Sequence, residues 1–91
     1  MLKIVPSNRF KKDLKRAQKR GCKMEHLRDV IHTLASGHTL NEKYCDHELS
    51  GNYKGFHECH IEPDWLLIYR ITQDELALFL FRTGTHSDLF S

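Results

Sequence analysis

Residues 65–82 read WLLIYRITQDELALFLFR, two apolar runs joined by a short polar turn. In WLLIYRI and in LALFLF both alternating sets of side chains are largely apolar, which is typical of strands that are covered on both faces. The TQD turn between them is too short for a crossover connection, so the two strands must be antiparallel neighbours. This hairpin predicts the core of a small sheet.

A third strand is expected just before the hairpin, because the segment EPD is also a turn signal. Proline fits the second position of a tight turn with its fixed φ. The predicted strands then run from Lys54 to Glu62, from Trp65 to Thr72 and from Glu75 to Thr83, as an antiparallel meander. A further short apolar strand, LKIV, precedes Pro6 near the amino terminus.

Two amphipathic helices are predicted between the first strand and the meander. Ser7 or Asn8 offers an N-cap for the first helix, and Gly21 ends it. The second helix ends before Gly37, and the polar stretch 37–55 favours loops or a short edge strand. The apolar positions recur at spacings of three and four residues: Phe10, Leu14 and Ala17 in the first helix, and Met24, Leu27, Val30, Ile31 and Leu34 in the second.

The order of these elements, β-α-α-β-β-β, predicts an α+β fold with a helical hairpin on one face of a small, mostly antiparallel sheet. Its 91 residues suit a single domain, 1–91, and 40% hydrophobic with 29% charged residues is a globular composition. No signal-peptide pattern or apolar run of about 20 residues occurs, so we expect a cytoplasmic protein without membrane contact. Cys22, Cys45 and Cys59 are odd in number and lack a CxxC pair, which predicts free thiols.

The formal net charge of +2 conceals an uneven distribution. The basic side chains between Arg9 and Arg28 are offset in that span only by Asp13 and Glu25. An anionic partner and the solvated outer face of an amphipathic helix are both consistent with this pattern. The basic residues inside the span are Lys11, Lys12, Lys15, Arg16, Lys19, Arg20 and Lys23.

The stretch HECHIEPDW, residues 57–65, has the composition of a metal site but not the geometry. On a strand, His57 and His60 point to opposite faces, and Cys59 shares the face of His57. A helix would bring the two histidines together, but the flanking glycine and proline argue against one. We therefore expect neither a metal nor another cofactor here.

The other face of the same strand carries candidate catalytic groups. The turn that follows it brings Asp64 and Trp65 back beside the strand's end, which predicts a local cluster of imidazole, carboxylate and indole. His47 and His86 lie in similar polar segments, and Arg82 stands at the end of a strand. The residues expected on this face of the strand are Phe56, Glu58, His60 and Glu62.

Three motifs, HELSGNYKG, ECHIEPDWLLIYRI and FRTGTHSDLF, follow the basic helical hairpin in this order. With them the chain resembles, over nearly its whole length, the YafQ branch of the RelE-like toxins of bacterial type II toxin–antitoxin pairs. The resemblance implies a metal-independent endoribonuclease that cuts messenger RNA in the ribosomal A site until a cognate antitoxin masks it. It implies catalytic roles for His47, His60, Asp64 and His86, and contacts with RNA or its phosphates for Arg82, Trp65 and Phe90.

The implied reaction suits these residue types. Attack of the RNA 2′-hydroxyl on the adjacent phosphate needs a base, an acid for the leaving 5′-oxygen, and positive charge on the phosphate. Imidazole, with an unperturbed pKa of about 6.5, suits both proton transfers. We expect His86 to be the acid and His47 or His60 the base. Asp64 can hold a neighbouring imidazole, and Arg82 can grip a phosphate oxygen.

Each assignment has an alternative. Trp65 and Phe90 can stack on bases or can fill the core, and Arg82 can pair with a carboxylate such as Asp64 or Glu58. Two other functions also stay open. One is a binding module of the same fold that has lost efficient cleavage, and the other is a metal-dependent hydrolase that uses the histidines as ligands. His57 has no counterpart in the family pattern, so we expect it to be an incidental strand residue.

Overall fold

The structure, a computed structural model, describes residues 1–90, so the last residue of the predicted domain, Ser91, lies outside the described residues. Residues 1–90 form one five-stranded sheet and three helices. The predicted α+β class is confirmed. The strands are β1 (Lys3–Pro6), β2 (His47–Glu48), β3 (His57–Glu62), β4 (Trp65–Thr72) and β5 (Ala77–Gly84), and the helices are α1 (Asn8–Lys19), α2 (Met24–Ala35) and α3 (His86–Phe90).

The sheet has the order β1-β5-β4-β3-β2, with every neighbouring pair antiparallel except the parallel pair of β1 and β5. The predicted meander therefore forms its centre. In the middle strand, β4, the side chains of Leu66, Leu67 and Ile68 are completely buried although they alternate between faces. This confirms that β4 is covered on both sides.

Helices α1 and α2 cover one face of the sheet. Ser7 is the N-cap of α1: its hydroxyl accepts a hydrogen bond from the Phe10 amide at 2.9 Å and donates one to the Phe81 carbonyl at 2.7 Å. The cap thus ties the start of the helix to β5. Most of the apolar positions predicted from the helical spacing are buried: Phe10, Ala17, Leu27, Val30 and Leu34.

The opposite face of the sheet carries a smaller apolar cluster. Leu66 and Ile68 of β4 pack there with Leu89 of α3, and Tyr53, Phe56 and Phe81 are among the partly buried residues around them. The two-residue strand β2 is a short edge strand within the polar stretch 37–55, as the sequence allowed, whereas the helix α3 was not predicted. No helix within residues 1–90 is long and apolar enough to cross a membrane.

Two predicted strands begin too early. β3 begins at His57 rather than Lys54, because a 3-10 turn at Gly51–Tyr53 and the positive φ of Gly55 (+94°) keep the preceding backbone out of the sheet. β5 begins at Ala77 rather than Glu75, because the turn after β4 extends to Leu76, which has a φ of +51°. Turn geometry decides both boundaries.

Candidate active site

His47 reaches the site from the edge strand β2, where it pairs with Glu58 of β3. Its Nδ1 donates to the Cys45 carbonyl at 2.8 Å, because a carbonyl oxygen can only accept. The proton on Nδ1 leaves Nε2 as the atom that can exchange protons with a substrate. This Nε2 lies 3.5 Å from the Glu58 carboxylate.

His60 shares the Glu58 carboxylate with His47. Its Nε2 lies 3.7 Å from Oε1 of Glu58, the same oxygen that His47 approaches, and its Nδ1 donates to the Pro63 carbonyl at 3.3 Å. The two rings therefore have the same tautomer and direct the same atom at one carboxylate. Only 6% of the Glu58 side chain is exposed, whereas half of the His47 side chain is exposed.

Glu58 is the site residue that the sequence reasoning did not select. Strand alternation could have identified it, because Glu58 lies two residues before His60 and therefore on the same face of the strand. The same face was expected to include Glu62, but a β-bulge between His60 and Glu62 breaks the alternation. Glu62 consequently pairs with His26 of α2, with 3.2 Å between Oε2 and Nδ1.

The third histidine of the site, His86, is the first residue of α3. Its ring centroid lies 6.1 Å from that of His60 and 5.8 Å from that of Phe90, and its side chain is exposed. Phe90 is 43% exposed and also contacts the Tyr53 ring. The structure thus brings three predicted histidines and Phe90 onto one surface.

Arg82 is turned toward α1. Only 8% of the residue is exposed, and its Nε and Nη2 donate to the two oxygens of Asp13 at 2.8 and 3.1 Å. The alternative that Arg82 pairs with a carboxylate is confirmed, but the partner is Asp13, a buried carboxylate on the packed face of α1, and not Asp64 or Glu58. Its role in holding a phosphate stays a prediction.

The environment of Asp13 keeps it ionised. Burial by itself raises the pKa of the carboxyl, but hydrogen bonds from Arg82, the Thr83 amide and Arg16 outweigh burial and lower it below its usual value. The carboxylate accepts from Arg16 Nη2 at 2.8 Å and from the Thr83 amide at 3.2 Å. A buried charge pair therefore joins α1 to β5.

Trp65 does not join the histidines. His60 pairs with Leu66 across the β3–β4 ladder and so shares its face, whereas Trp65, one residue earlier, points to the helix-covered face. Trp65 is 5% exposed and its indole donates to the Thr83 hydroxyl at 2.9 Å. Trp65 thus fills the core, which was the alternative to stacking on a base. The predicted cluster of imidazole, carboxylate and indole does not form.

Asp64 is exposed in the β3–β4 turn and lines a small cleft with Arg20 and Asp88. Within residues 1–90, no hydrogen bond or ion pair connects it to a histidine. The expected contact between Asp64 and an imidazole is therefore not formed in this structure. Its catalytic role stays a prediction.

His57 lies on the face opposite His60, as the alternation predicts. Its ring stacks on Tyr69 at 5.5 Å. Its Nδ1 is 3.4 Å from Asp46, but the geometry is not that of a hydrogen bond, and this buried nitrogen has no hydrogen-bond partner among residues 1–90. Asp46 instead accepts from the Tyr69 hydroxyl at 2.6 Å.

Burial raises the pKa of Cys59, on the same face of β3 as His57, well above its usual value, so this thiol is neutral.

An open groove of about 700 Å³ adjoins the histidine surface. It runs between α2, the 3-10 turn at Glu42–Tyr44 and β3, and His60 forms part of its wall. Among the described residues there is no group of three or more His, Cys, Asp or Glu side chains arranged to hold a metal ion. Other residues that line the groove are His26, Lys43, Tyr44, Glu62 and Pro63.

The family model described as "Bacterial toxin of type II toxin-antitoxin system, YafQ" matches residues 2–91. The chain belongs to the YafQ family. It is thus a toxin of a bacterial type II toxin–antitoxin system, as its motifs indicate.

Individual relatives and solved structures match over nearly their whole length. The mRNA interferase toxin YafQ of Escherichia coli K12 is 46% identical over 89 residues, which cover 96% of this chain and 94% of the relative. The crystal structure of a metal-bound toxin from Helicobacter pylori matches with a TM-score of 0.93 and 48% identity, over 99% of this chain and all of that one. YafQ in the E. coli DinJ–YafQ complex matches with a TM-score of 0.91 and 40% identity over both entire chains. The E. coli relatives are named mRNA interferases, that is, enzymes that cut messenger RNA. This YafQ-family chain is therefore an endoribonuclease.

Proposed function

We propose that this toxin cleaves messenger RNA on the ribosome through the histidine surface formed by His47, His60 and His86, without a metal ion. The observation that carries the proposal is the placement of three imidazoles on one surface, two of them with Nε2 directed at Glu58 and the third 6.1 Å from His60. Messenger RNA is the substrate class in the name of the E. coli relatives.

The proposed reaction is an in-line attack of the RNA 2′-oxygen on the neighbouring phosphorus. The 2′-hydroxyl gives its proton to Nε2 of His47 or His60, the bond from phosphorus to the 5′-oxygen breaks, and that oxygen takes a proton from His86. The products are a cyclic phosphate and a free 5′-hydroxyl. The two paired histidines suit the base because Nδ1 is occupied in both and Nε2 can take the proton.

His86 suits the acid because it stands apart from that pair. No hydrogen bond within residues 1–90 is made by its ring, so both of its nitrogens can reach a leaving group. Phe90 beside it offers an exposed ring on which a base can stack, and such stacking contributes about 1 to 3 kcal/mol. The predicted division of roles between His86 and the other two histidines rests on this difference.

A cognate antitoxin is the proposed partner in the cell. The YafQ of E. coli has been crystallised with DinJ, and this chain matches that toxin over its entire length. The surplus of basic side chains on α1 is suited to a partner segment that carries negative charge. Expression of the toxin alone should then arrest growth, and coexpression of the antitoxin should restore it.

The test is cleavage of a translated messenger RNA by the purified toxin with and without ribosomes. His47→Ala, His60→Ala and His86→Ala should each lower the cleavage rate by about 10²- to 10⁴-fold, the range for a lost acid or base. Asp64→Ala should lower the cleavage rate by a factor in the same range. A chelator selective for transition metals, which imidazole ligands prefer, leaves the Mg²⁺ of the ribosome in place and should leave the wild-type rate unchanged.

His57→Ala is the matched control, since it removes the same ring from the opposite face of the same strand. It should leave the cleavage rate near that of the wild type. Full activity of both His60→Ala and His86→Ala would refute the proposed site. Inhibition by the chelator would favour the metal-dependent alternative, and a wild type without activity would favour the binding module.

A further inference from the structure

The carboxylate of Asp88 and the buried side chain of Leu89 both hold the short helix α3 in position. A five-residue helix is too short to be stable alone, since helix nucleation costs several ordered residues before the hydrogen bonds repay it. Asp88 accepts from the Thr85 amide at 3.0 Å, and its own amide donates to the Thr85 hydroxyl at 3.1 Å. These reciprocal bonds are of the capping-box type and close the first turn of α3.

The same carboxylate ties α3 to the end of α1. Nη1 and Nη2 of Arg20 donate to the two oxygens of Asp88 at 2.6 and 3.2 Å, and Nη1 of Arg16 donates to one of them at 3.4 Å. Arg20 and Asp88 are 68 positions apart in sequence, so this is a long-range link. The fork of two parallel bonds fixes direction as well as distance.

Asp88 is ionised at physiological pH, so both partners of the link carry their charge. The hydrogen bond from Arg20, followed by that from the Thr85 amide, holds the pKa of the Asp88 carboxyl far below its usual value. Only 11% of its side chain is exposed, whereas 45% of the Arg20 side chain is. The Asp88 carboxylate is thus largely buried, and the more exposed Arg20 guanidinium group packs against it.

His86 lies two residues before Asp88, on the turn that the capping bonds close. We propose that Arg20 and Asp88 form a clamp that positions the His86 imidazole opposite His60 for proton transfer. Arg20 and Asp88 are positioning residues that act through His86. The inference rests on the proposed function, because it needs His86 to take part in the reaction.

The size of the expected effect follows from the precision that proton transfer needs. A displacement of about 1 Å at a reacting group can cost about 10²-fold in rate. Loss of the clamp leaves Leu89 buried against the sheet, so α3 is loosened rather than lost. Arg20→Gln and Asp88→Asn should therefore lower kcat for RNA cleavage by about 10- to 100-fold and change KM by less than about threefold.

Lys19→Gln is the matched control for Arg20→Gln. Lys19 is the exposed neighbour of Arg20 on the same helix end, and its replacement removes the same charge without touching Asp88. It should leave kcat near the wild-type value. Arg20 is largely exposed, so the Arg20→Gln protein is expected to fold even where Asp88→Asn is destabilised.

A second set of variants shows whether the clamp acts through His86. In a His86→Ala background, Arg20→Gln and Asp88→Asn should cause no further loss, because effects on one functional unit are not additive. An equal further loss in that background would overturn the proposal. So would a raised KM with unchanged kcat, which would make Arg20 an RNA contact.

Failure of the proposed function gives a different result. Full activity of His86→Ala would show that His86 is not the general acid. The positioning of its ring by Arg20 and Asp88 would then be tested separately, by NMR of the His86 ring resonances. Displacement of these resonances by Asp88→Asn and Arg20→Gln, but not by Lys19→Gln, is expected if the clamp positions the ring. Unchanged resonances in both clamp variants would overturn the clamp itself.

Discussion

At the scale of single residues, the pair of Asp13 and Arg82 is a buried ion pair that joins α1 to the sheet. Both side chains are almost fully buried, and Asp13 also accepts from Arg16 and the Thr83 amide. A buried ion pair contributes little compared with two apolar residues, but removing one partner leaves a buried charge without compensation. The pair is therefore expected to govern stability even if Arg82 also contacts a phosphate.

Asp13→Asn should lower the free energy of unfolding by about 3 kcal/mol, because it leaves the Arg82 guanidinium buried beside a neutral amide. Urea unfolding followed by circular dichroism measures this change. Asp74→Asn, an exposed aspartate in the β4–β5 turn, is the control and should change stability by less than about 0.5 kcal/mol. A similar loss in both proteins would contradict the assigned role of the buried pair.

Acid should remove the same contribution in the wild type. The pKa of Asp13 is lower in the folded state than the value of 3.8 for a free carboxyl, so the carboxylate stabilises the fold above pH 3.8. This stabilisation is lost as the pH falls through the lower, folded-state pKa. The Asp13→Asn protein should lack that part of the acid-dependent loss.

At the scale of elements, the connection from β5 to α3 depends on a close approach that permits no side chain. A Cβ on Gly84 would lie 2.9 Å from Oδ2 of Asp88 and 3.0 Å from its Cβ, well inside normal contact distance. The glycine of the RTGTHSDLF motif is thus explained by packing against the carboxylate that holds α3. Its place in the motif requires no direct contact with substrate.

Gly84→Ala should displace Asp88 and, with it, α3. We expect a loss of about 1 to 3 kcal/mol in the free energy of unfolding, typical of an overpacked site, together with slower RNA cleavage. Gly37→Ala is the control: alanine is strained there by the backbone φ of +81°, as it is at Gly84 with +157°, but nothing lies within 4 Å of the added Cβ at Gly37. It should reduce stability while leaving cleavage per folded molecule unchanged. Equal cleavage by the two folded proteins would argue against an effect through α3.

Strand alternation allowed some of these features to be predicted from the sequence. It placed His57 and His60 on opposite faces, and the structure confirms this because His57 stacks on Tyr69 while His60 approaches Glu58. Alternation failed where the backbone departs from it. The bulge between His60 and Glu62 is a local irregularity that the residue pattern does not predict, and it directs Glu62 toward α2.

At the scale of the whole molecule, the histidine surface is assembled from three separate elements, β2, β3 and α3. Periodicity could predict the α+β fold and the central hairpin, because those depend on local patterns of apolar residues. It could not bring His47 and His86 next to His60, since these contacts join distant parts of the chain. The family motifs supplied those candidates, but they did not reveal that Trp65 is buried or that Arg82 is paired with Asp13.

The distribution of charge over the molecule leads to the last prediction. The net charge is only +2, yet Lys11 and Lys15 are exposed, adjacent on one side of α1 and without an ion pair among the described residues. If α1 binds RNA phosphates, the logarithm of RNA affinity should fall linearly with the logarithm of salt concentration. Lys11→Gln and Lys15→Gln should each make that slope shallower by about 0.7, the value for one phosphate contact on single-stranded RNA.

Filter binding or fluorescence anisotropy over a range of salt concentrations measures these slopes with an uncleaved RNA analogue. Lys3→Gln is the control, because Lys3 carries the same charge on β1, at the edge of the sheet opposite to β2 and His47. It should leave the slope near that of the wild type. If all three variants keep the wild-type slope, the basic side of α1 is a solvated face, and the RNA must be held by the histidine surface and its neighbours alone.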